Sequence, residues 1–349
     1  MRVSSLPFKS RKLVLCVVVG GELILLAALR DYSVGTDLNN YIPGFLYIGE
    51  YFWNGLYDWG GNSPYYWEPG YMLLNIVIYK LSINPHIFLA LIGLIVVVSF
   101  IRFIAYNSPI IWLSLFIFVS FGYYLSSYNI LRQYLAIACV LKGIQTLIDG
   151  RVKSYIFWVL IAITFHATAF CVFLLYPLTK FKANLKYFVV FLTIMSLCYF
   201  FCGRYILAYF VDIFYDTYSD DMVKGQGGMM LTLLVVITFV GLWVIQKSQV
   251  EKFELRVLSH MMILACALQL WSLDFSLFSR MVLYFQLALI VFIPYVLSLL
   301  KNKYLGLYGQ FIVAILMFVY FVCIFSENDL NGVIPYRFFW EKGSPFVGL

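Results

Sequence analysis

Three ionisable side chains sit where an apolar sequence gives them no obvious partner. Arg132 lies in Asn129-Ile130-Leu131-Arg132-Gln133-Tyr134-Leu135-Ala136, one turn inside the hydrophobic segment 128–148. His166 follows in Phe165-His166-Ala167, and Arg280 opens a later apolar stretch in Ser279-Arg280-Met281. A charge within a membrane segment is costly and is usually kept for a partner or a substrate. Guanidinium offers forked, permanently charged donors that fit phosphate oxygens, so two arginines facing one cavity would suit a diphosphate. Imidazole exchanges a proton near neutral pH and is the usual general base. Simpler roles fit the same letters. Arg280 has Asp274 two turns away, and Arg102 near a span end can snorkel to the interface. His166 can hydrogen-bond a neighbouring helix. Arg132 has no acid nearby in sequence. No HExxH, DxD or Ser/His/Asp spacing stands out, and neither a metal nor a cofactor is expected.

Composition places these groups in a membrane. Of 349 residues 63% are hydrophobic and 12% charged, with mean hydropathy +0.89, whereas soluble domains carry about 25% charged residues. Long apolar runs, without the ten-residue alternation of a barrel, predict an all-α polytopic integral membrane protein. The net charge of +7 falls in short loops, where it orients a membrane protein and does not indicate nucleic acid. Seven cysteines lie almost all within apolar runs, with no CxxC, and read as buried packing residues.

Taken in order, the runs give about eleven transmembrane helices of ~20 residues, with some broken or re-entrant, forming a single polytopic domain over 1–349. The basic start before 13–29 puts the N-terminus in the cytoplasm. Segments 30–64, 204–228 and 271–280 and the tail 326–349 then read as external and close over a cavity. Tyr41, Trp53, Tyr57 and Trp59 in the first loop either pack an interfacial helix or stack on sugars. In Glu68-Pro69-Gly70, proline suits a first helical turn and glutamate its positive end. Simple crossings leave one conflict, because they put the basic pair Arg151 and Lys153 outside and Arg132 near the cytoplasm. A broken helix on each side of that pair would resolve it.

Gly35-Thr36-Asp37 with Tyr41, Glu68-Pro69-Gly70, Asn129-Ile130-Leu131-Arg132-Gln133, Phe165-His166-Ala167-Thr168-Ala169, Arg280 with Tyr284, and Pro335-Tyr336-Arg337-Phe338 resemble the motifs of the EpsG family. That family comprises bacterial polysaccharide polymerases related to Wzy O-antigen polymerases. The resemblance implies a metal-independent glycosyltransferase of the bacterial inner membrane, making O-antigen, capsule or exopolysaccharide. Donor and acceptor would both be oligosaccharides linked to undecaprenyl diphosphate, joined at the external face. A polysaccharide chain-length regulator is a further candidate partner. On this resemblance His166, Asp37 or Glu68 would serve catalysis as the proton acceptor. Arg132 and Arg280 would grip the diphosphate, and Gln133, Tyr284, Tyr336 and Arg337 would complete the substrate site. A lipid-linked-oligosaccharide flippase and a membrane O-acyltransferase are the alternatives.

Overall fold

The computed structural model describes residues 8–59, 63–214, 227–327 and 332–341, and among these the regular structure is helical, as the sequence predicts. Of the expected external loop 204–228, residues 204–214 are helical and 215–226 fall outside the described residues, as do the ends of the chain before residue 8 and after residue 341.

Seven helices among the described residues are long and apolar enough to cross a membrane, fewer than expected. They comprise α1 (Phe8–Leu29), α4 (Pro85–Asn107), α10 (Leu185–Phe214), α11 (Gly228–Ser248), α12 (Phe253–Trp271), the pair α13 (Ser276–Gln286) and α14 (Leu289–Ser298), and α15 (Lys303–Glu327). The remaining expected spans fail for visible reasons. Helix α3 (Pro69–Leu81) has only 13 residues, because Pro69 fixes its start. The run 110–125 divides into α5 (Ile111–Ser120) and α6 (Tyr123–Ser126). Gly122 separates the two, with φ +87°, a backbone conformation that favours glycine. Helix α7 (Leu131–Ile148) has 18 residues but carries Arg132, Gln133, Lys142 and Gln145. The run 154–176 stops as an α-helix at Phe165, the end of α8 (Val152–Phe165), and continues as a 3-10 helix (Ala167–Leu174) into α9 (Leu175–Leu178). Breaks therefore do flank Arg151 and Lys153, at Gly122–Ile130 on one side and at His166 on the other. A further helix, α2 (Leu38–Trp53), occupies the first expected loop.

The chain divides into two compact units, 1–146 with 153–167 and 311–349, and 147–152 with 168–310. In the first unit α1 lies along α4, closely enough that a Cβ on Gly93 would stand 2.7 Å from that of Ala27. Small residues permit such approach where no hydrophobic force drives helices together. Asn107 of α4 donates to Gln145 of α7 at 2.7 Å, fixing the helix that carries Arg132. Residues 332–341 return to the end of α1, where Phe338 pairs antiparallel with Arg30. In the second unit α12 is buried along nearly its whole length and packs against α10, α11 and α13.

Candidate active site

Three chain breaks in the first unit bring three charged groups together. Glu68 precedes α3, Arg132 is the second residue of α7, and His166 follows the last residue of α8. Arg132 Nη1 donates to Glu68 Oε2 at 2.6 Å, and His166 Nδ1 lies 3.0 Å from Glu68 Oε1. The amide of Ala167 donates to the same Oε1 at 3.4 Å. Helix ends carry free polar groups that helix interiors do not, which explains why all three residues sit at termini.

The electrostatics follow from these contacts. Burial pushes the Glu68 carboxyl up, but the His166 hydrogen bond and the Arg132 charge outweigh it and hold the group down at about 2. A depressed carboxyl contributes stability that is fully present above its ordinary value of 4.5 and is lost as pH falls toward about 2. Across neutral pH Glu68 is therefore an anion, which can only accept hydrogen bonds. In the neutral imidazole the proton facing Glu68 is then on Nδ1, and Nε2 presents its lone pair. That Nε2 has no hydrogen-bond partner among the described residues, nor does Nε of Arg132. With His166 only 7% exposed, the geometry is that of a base held by a carboxylate, with its second nitrogen unspent.

Aromatic side chains wall the cluster. The Trp67 ring lies 5.7 Å from the Arg132 guanidinium and packs on Tyr41, Tyr65 and Tyr71, with centroids 5.2–5.7 Å apart. Gly70 matters because α3 crosses α8 there. A Cβ at that position would stand 2.3 Å from Thr164 Oγ1 and 2.8 Å from the Thr164 carbonyl oxygen. The carbonyl belongs to backbone two residues before His166, so Gly70→Ala must move α8 or α3. The expected cost is about 1–3 kcal/mol, read as a lower thermal-unfolding midpoint of the purified protein.

The other expected site residues stand elsewhere. Asp37 begins α2 and bonds Thr36, while its own amide donates to Asn129 Oδ1 at 3.4 Å; it partners neither His166 nor Arg132. Gln133 is 3% exposed beside Arg132 on α7. Arg280 and Tyr284 belong to the second unit. Arg280 is exposed on α13, and the buried Tyr284 hydroxyl lies 3.4 Å from Thr168 Oγ1. Tyr336 donates to the Leu26 carbonyl. Arg337 has an exposed side chain, and its carbonyl accepts the Asp31 amide at 2.9 Å.

Sequence reasoning passed over Arg30. At 2% exposure it stacks on the Tyr128 ring, 4.1 Å from the centroid, and its Nε and Nη1 have no hydrogen-bond partner. Tyr128 in turn shares a 2.6 Å hydrogen bond with Tyr124, whose hydroxyl also lies 2.6 Å from the Leu23 carbonyl. This stack braces the segment 127–130 that delivers Arg132. A basic residue at the end of a span looks like an interfacial anchor, and only the returning tail reveals its burial.

Helices of membrane length, with an ionisable cluster gathered at their broken neighbours, define a polytopic all-α membrane protein. The chain belongs to the EpsG family, whose model matches residues 13–338, nearly its whole length. EpsG is a family of Wzy-like polymerases, so the protein is a polysaccharide-polymerase-type, glycosyltransferase-like membrane protein. No curated protein and no solved structure matches the chain.

Proposed function

We propose that the protein elongates a bacterial surface polysaccharide by moving a glycan from undecaprenyl diphosphate onto the next lipid-linked repeat unit, at the external face of the inner membrane. The observation that carries this reading is the Glu68–His166 contact at 3.0 Å, with Nε2 left open. A flippase has no need of a base positioned in this way.

In the proposed step the acceptor sugar hydroxyl approaches Nε2 of His166. Its oxygen bonds to the donor's anomeric carbon while Nε2 takes its proton, and the bond from that carbon to the diphosphate oxygen breaks with the electron pair leaving on phosphate. Glu68 is a positioning residue, since it fixes the imidazole tautomer and faces the positive charge that forms on it. Arg132 would neutralise the departing diphosphate. Stabilising such developing charge is commonly the largest catalytic contribution. Trp67 and its tyrosine neighbours offer apolar faces for sugar rings.

Deleting the gene tests the reaction class. Cells are expected to display single repeat units on the final acceptor. Complete loss of the glycan would point to a flippase, and full-length chains lacking acyl groups to an acyltransferase. The membrane side is tested by Arg132→Cys, which should react with an impermeant thiol reagent added from outside. Labelling only from the cytoplasmic side would overturn the topology.

A further inference from the structure

Two basic loops that sequence reading assigns only to membrane orientation line one cavity in the second unit. The loop 179–184, between α9 and α10, meets the end of α11 and the turn 249–252 before α12 around a space of about 390 Å³. That is within the range of small-ligand pockets. Lys182, Lys252 and Arg256 line it, with Glu251 the one carboxylate among the lining residues. Glu251 is already paired with Lys182 at 2.7 Å in an exposed contact. The neighbouring Glu254 does not line the space, and its Oε2 accepts the Tyr295 hydroxyl at 3.4 Å. Three cations thus share one lining carboxylate, with Glu254 and Tyr295 beside Lys252 as its further partners.

The wall also offers neutral donors. Gln246 and Gln249 contribute amides, and Ser259 reaches the wall from a position only 1% exposed. Helix α12 begins at this wall with no side-chain cap on its first turn. A 19-residue helix starting this way presents free N–H groups, although Glu254 in its first turn offsets part of the positive charge there. The opposite arrangement holds at α10, where Asn184 Oδ1 accepts the Tyr187 amide at 2.8 Å and closes the end. The cavity is held in shape from below. His260 Nε2 lies 3.0 Å from the Phe181 carbonyl and ties the loop carrying Lys182 to α12.

We propose that this cavity is a binding site for a phosphate-bearing anion of headgroup size, separate from the Glu68–His166 cluster and independent of the reaction proposed there. A tetrahedral phosphate takes up guanidinium, ammonium and free helix amides together. Two sources share that chemistry, the headgroup of an anionic phospholipid and a soluble phosphate ester. The loops carry the positive charge that marks a cytoplasmic face, where both are present.

The test uses the full-length purified protein in detergent and then in nanodiscs. Glycerol 3-phosphate, a monophosphate ester chosen so that the probe is not the diphosphate proposed to bind at Arg132, is expected to raise the thermal-unfolding midpoint saturably, beyond an equal ionic strength of chloride. Arg256→Gln and Lys252→Gln should each weaken that binding about tenfold or more, while Lys303→Gln, an exposed basic residue outside the cavity, should not. Native mass spectrometry from phosphatidylglycerol and phosphatidylcholine nanodiscs separates the sources. Retention of phosphatidylglycerol that both cavity variants lose identifies the headgroup. Glycerol 3-phosphate binding without lipid retention identifies a soluble ester. Either result supports the site even if polymerisation proves to be the wrong reaction. If neither probe binds, or if binding is equal in wild type and both cavity variants, the proposal is overturned. Should Arg256→Gln fail to fold, Lys252→Gln, on the exposed turn, decides the outcome alone.

Discussion

His166→Ala is expected to abolish polymerisation, leaving single repeat units on the cell surface while the protein remains inserted at normal levels. A positioned base contributes about 10²–10⁴-fold, so the chain-length distribution should collapse and not merely shorten. Free imidazole added to the purified variant should restore part of the activity, because the missing group is a proton acceptor. Glu68→Gln tests the other half of the pair. An amide can donate to Nδ1 and so favour the wrong tautomer, with the proton on Nε2. The loss should approach that of His166→Ala although side-chain volume is almost unchanged, and imidazole should not rescue it. Glu68→Asp keeps the charge and should retain more activity than Glu68→Gln. If His166→Ala cells make full-length chains, His166 is a packing residue and the proposed mechanism fails. Since Glu68 is held at about 2 by His166 and Arg132 against its burial, its own titration should leave no mark on activity between pH 5 and 8. An acid limb in that window that survives Glu68→Gln unchanged belongs to another group.

Membrane character, helical class and the motif residues are legible in the sequence because each depends on composition or on local order. A charged residue inside an apolar run marks Arg132 and His166 as costly wherever they sit. The span count fails because hydropathy does not see where a helix stops. Gly122 and the change to a 3-10 helix after His166 divide runs that read as continuous. Those breaks are where the site is built, so the error and the function share a cause. Glu68 could be explained by capping alone, since the residue before Pro69 fits the positive end of α3. Its pairing with Arg132 and His166 joins residues far apart in the sequence, and no local pattern encodes it. Arg30 shows the same limit, because its burial depends on residues 332–341 folding back across the end of α1.

The Arg132 substitutions separate catalysis from support, a distinction made necessary by the Glu68 contact. Arg132→Gln removes a guanidinium bonded at 2.6 Å to a carboxylate whose side chain is 18% exposed, and so strands a largely buried anion. Breaking such a pair from one side costs about 3–5 kcal/mol of stability, and lower protein levels are expected from that alone. Removing both charges, in Arg132→Gln with Glu68→Gln, should recover much of the stability and restore insertion. Polymerisation should not return. Losing the arginine's hold on the leaving diphosphate is expected to cost about 2–4 kcal/mol of transition-state binding, or ~100-fold in turnover. Arg132→Lys provides the sharper comparison. Lysine keeps the charge and satisfies Glu68, so protein levels should stay near normal, but a point charge cannot both pair with the carboxylate and present a second donor to phosphate. Activity should therefore remain at least about tenfold down, with the deficit in kcat and not in KM alone. Full-length glycan from Arg132→Lys at wild-type rates would assign this arginine to bracing Glu68 and leave diphosphate binding to other residues.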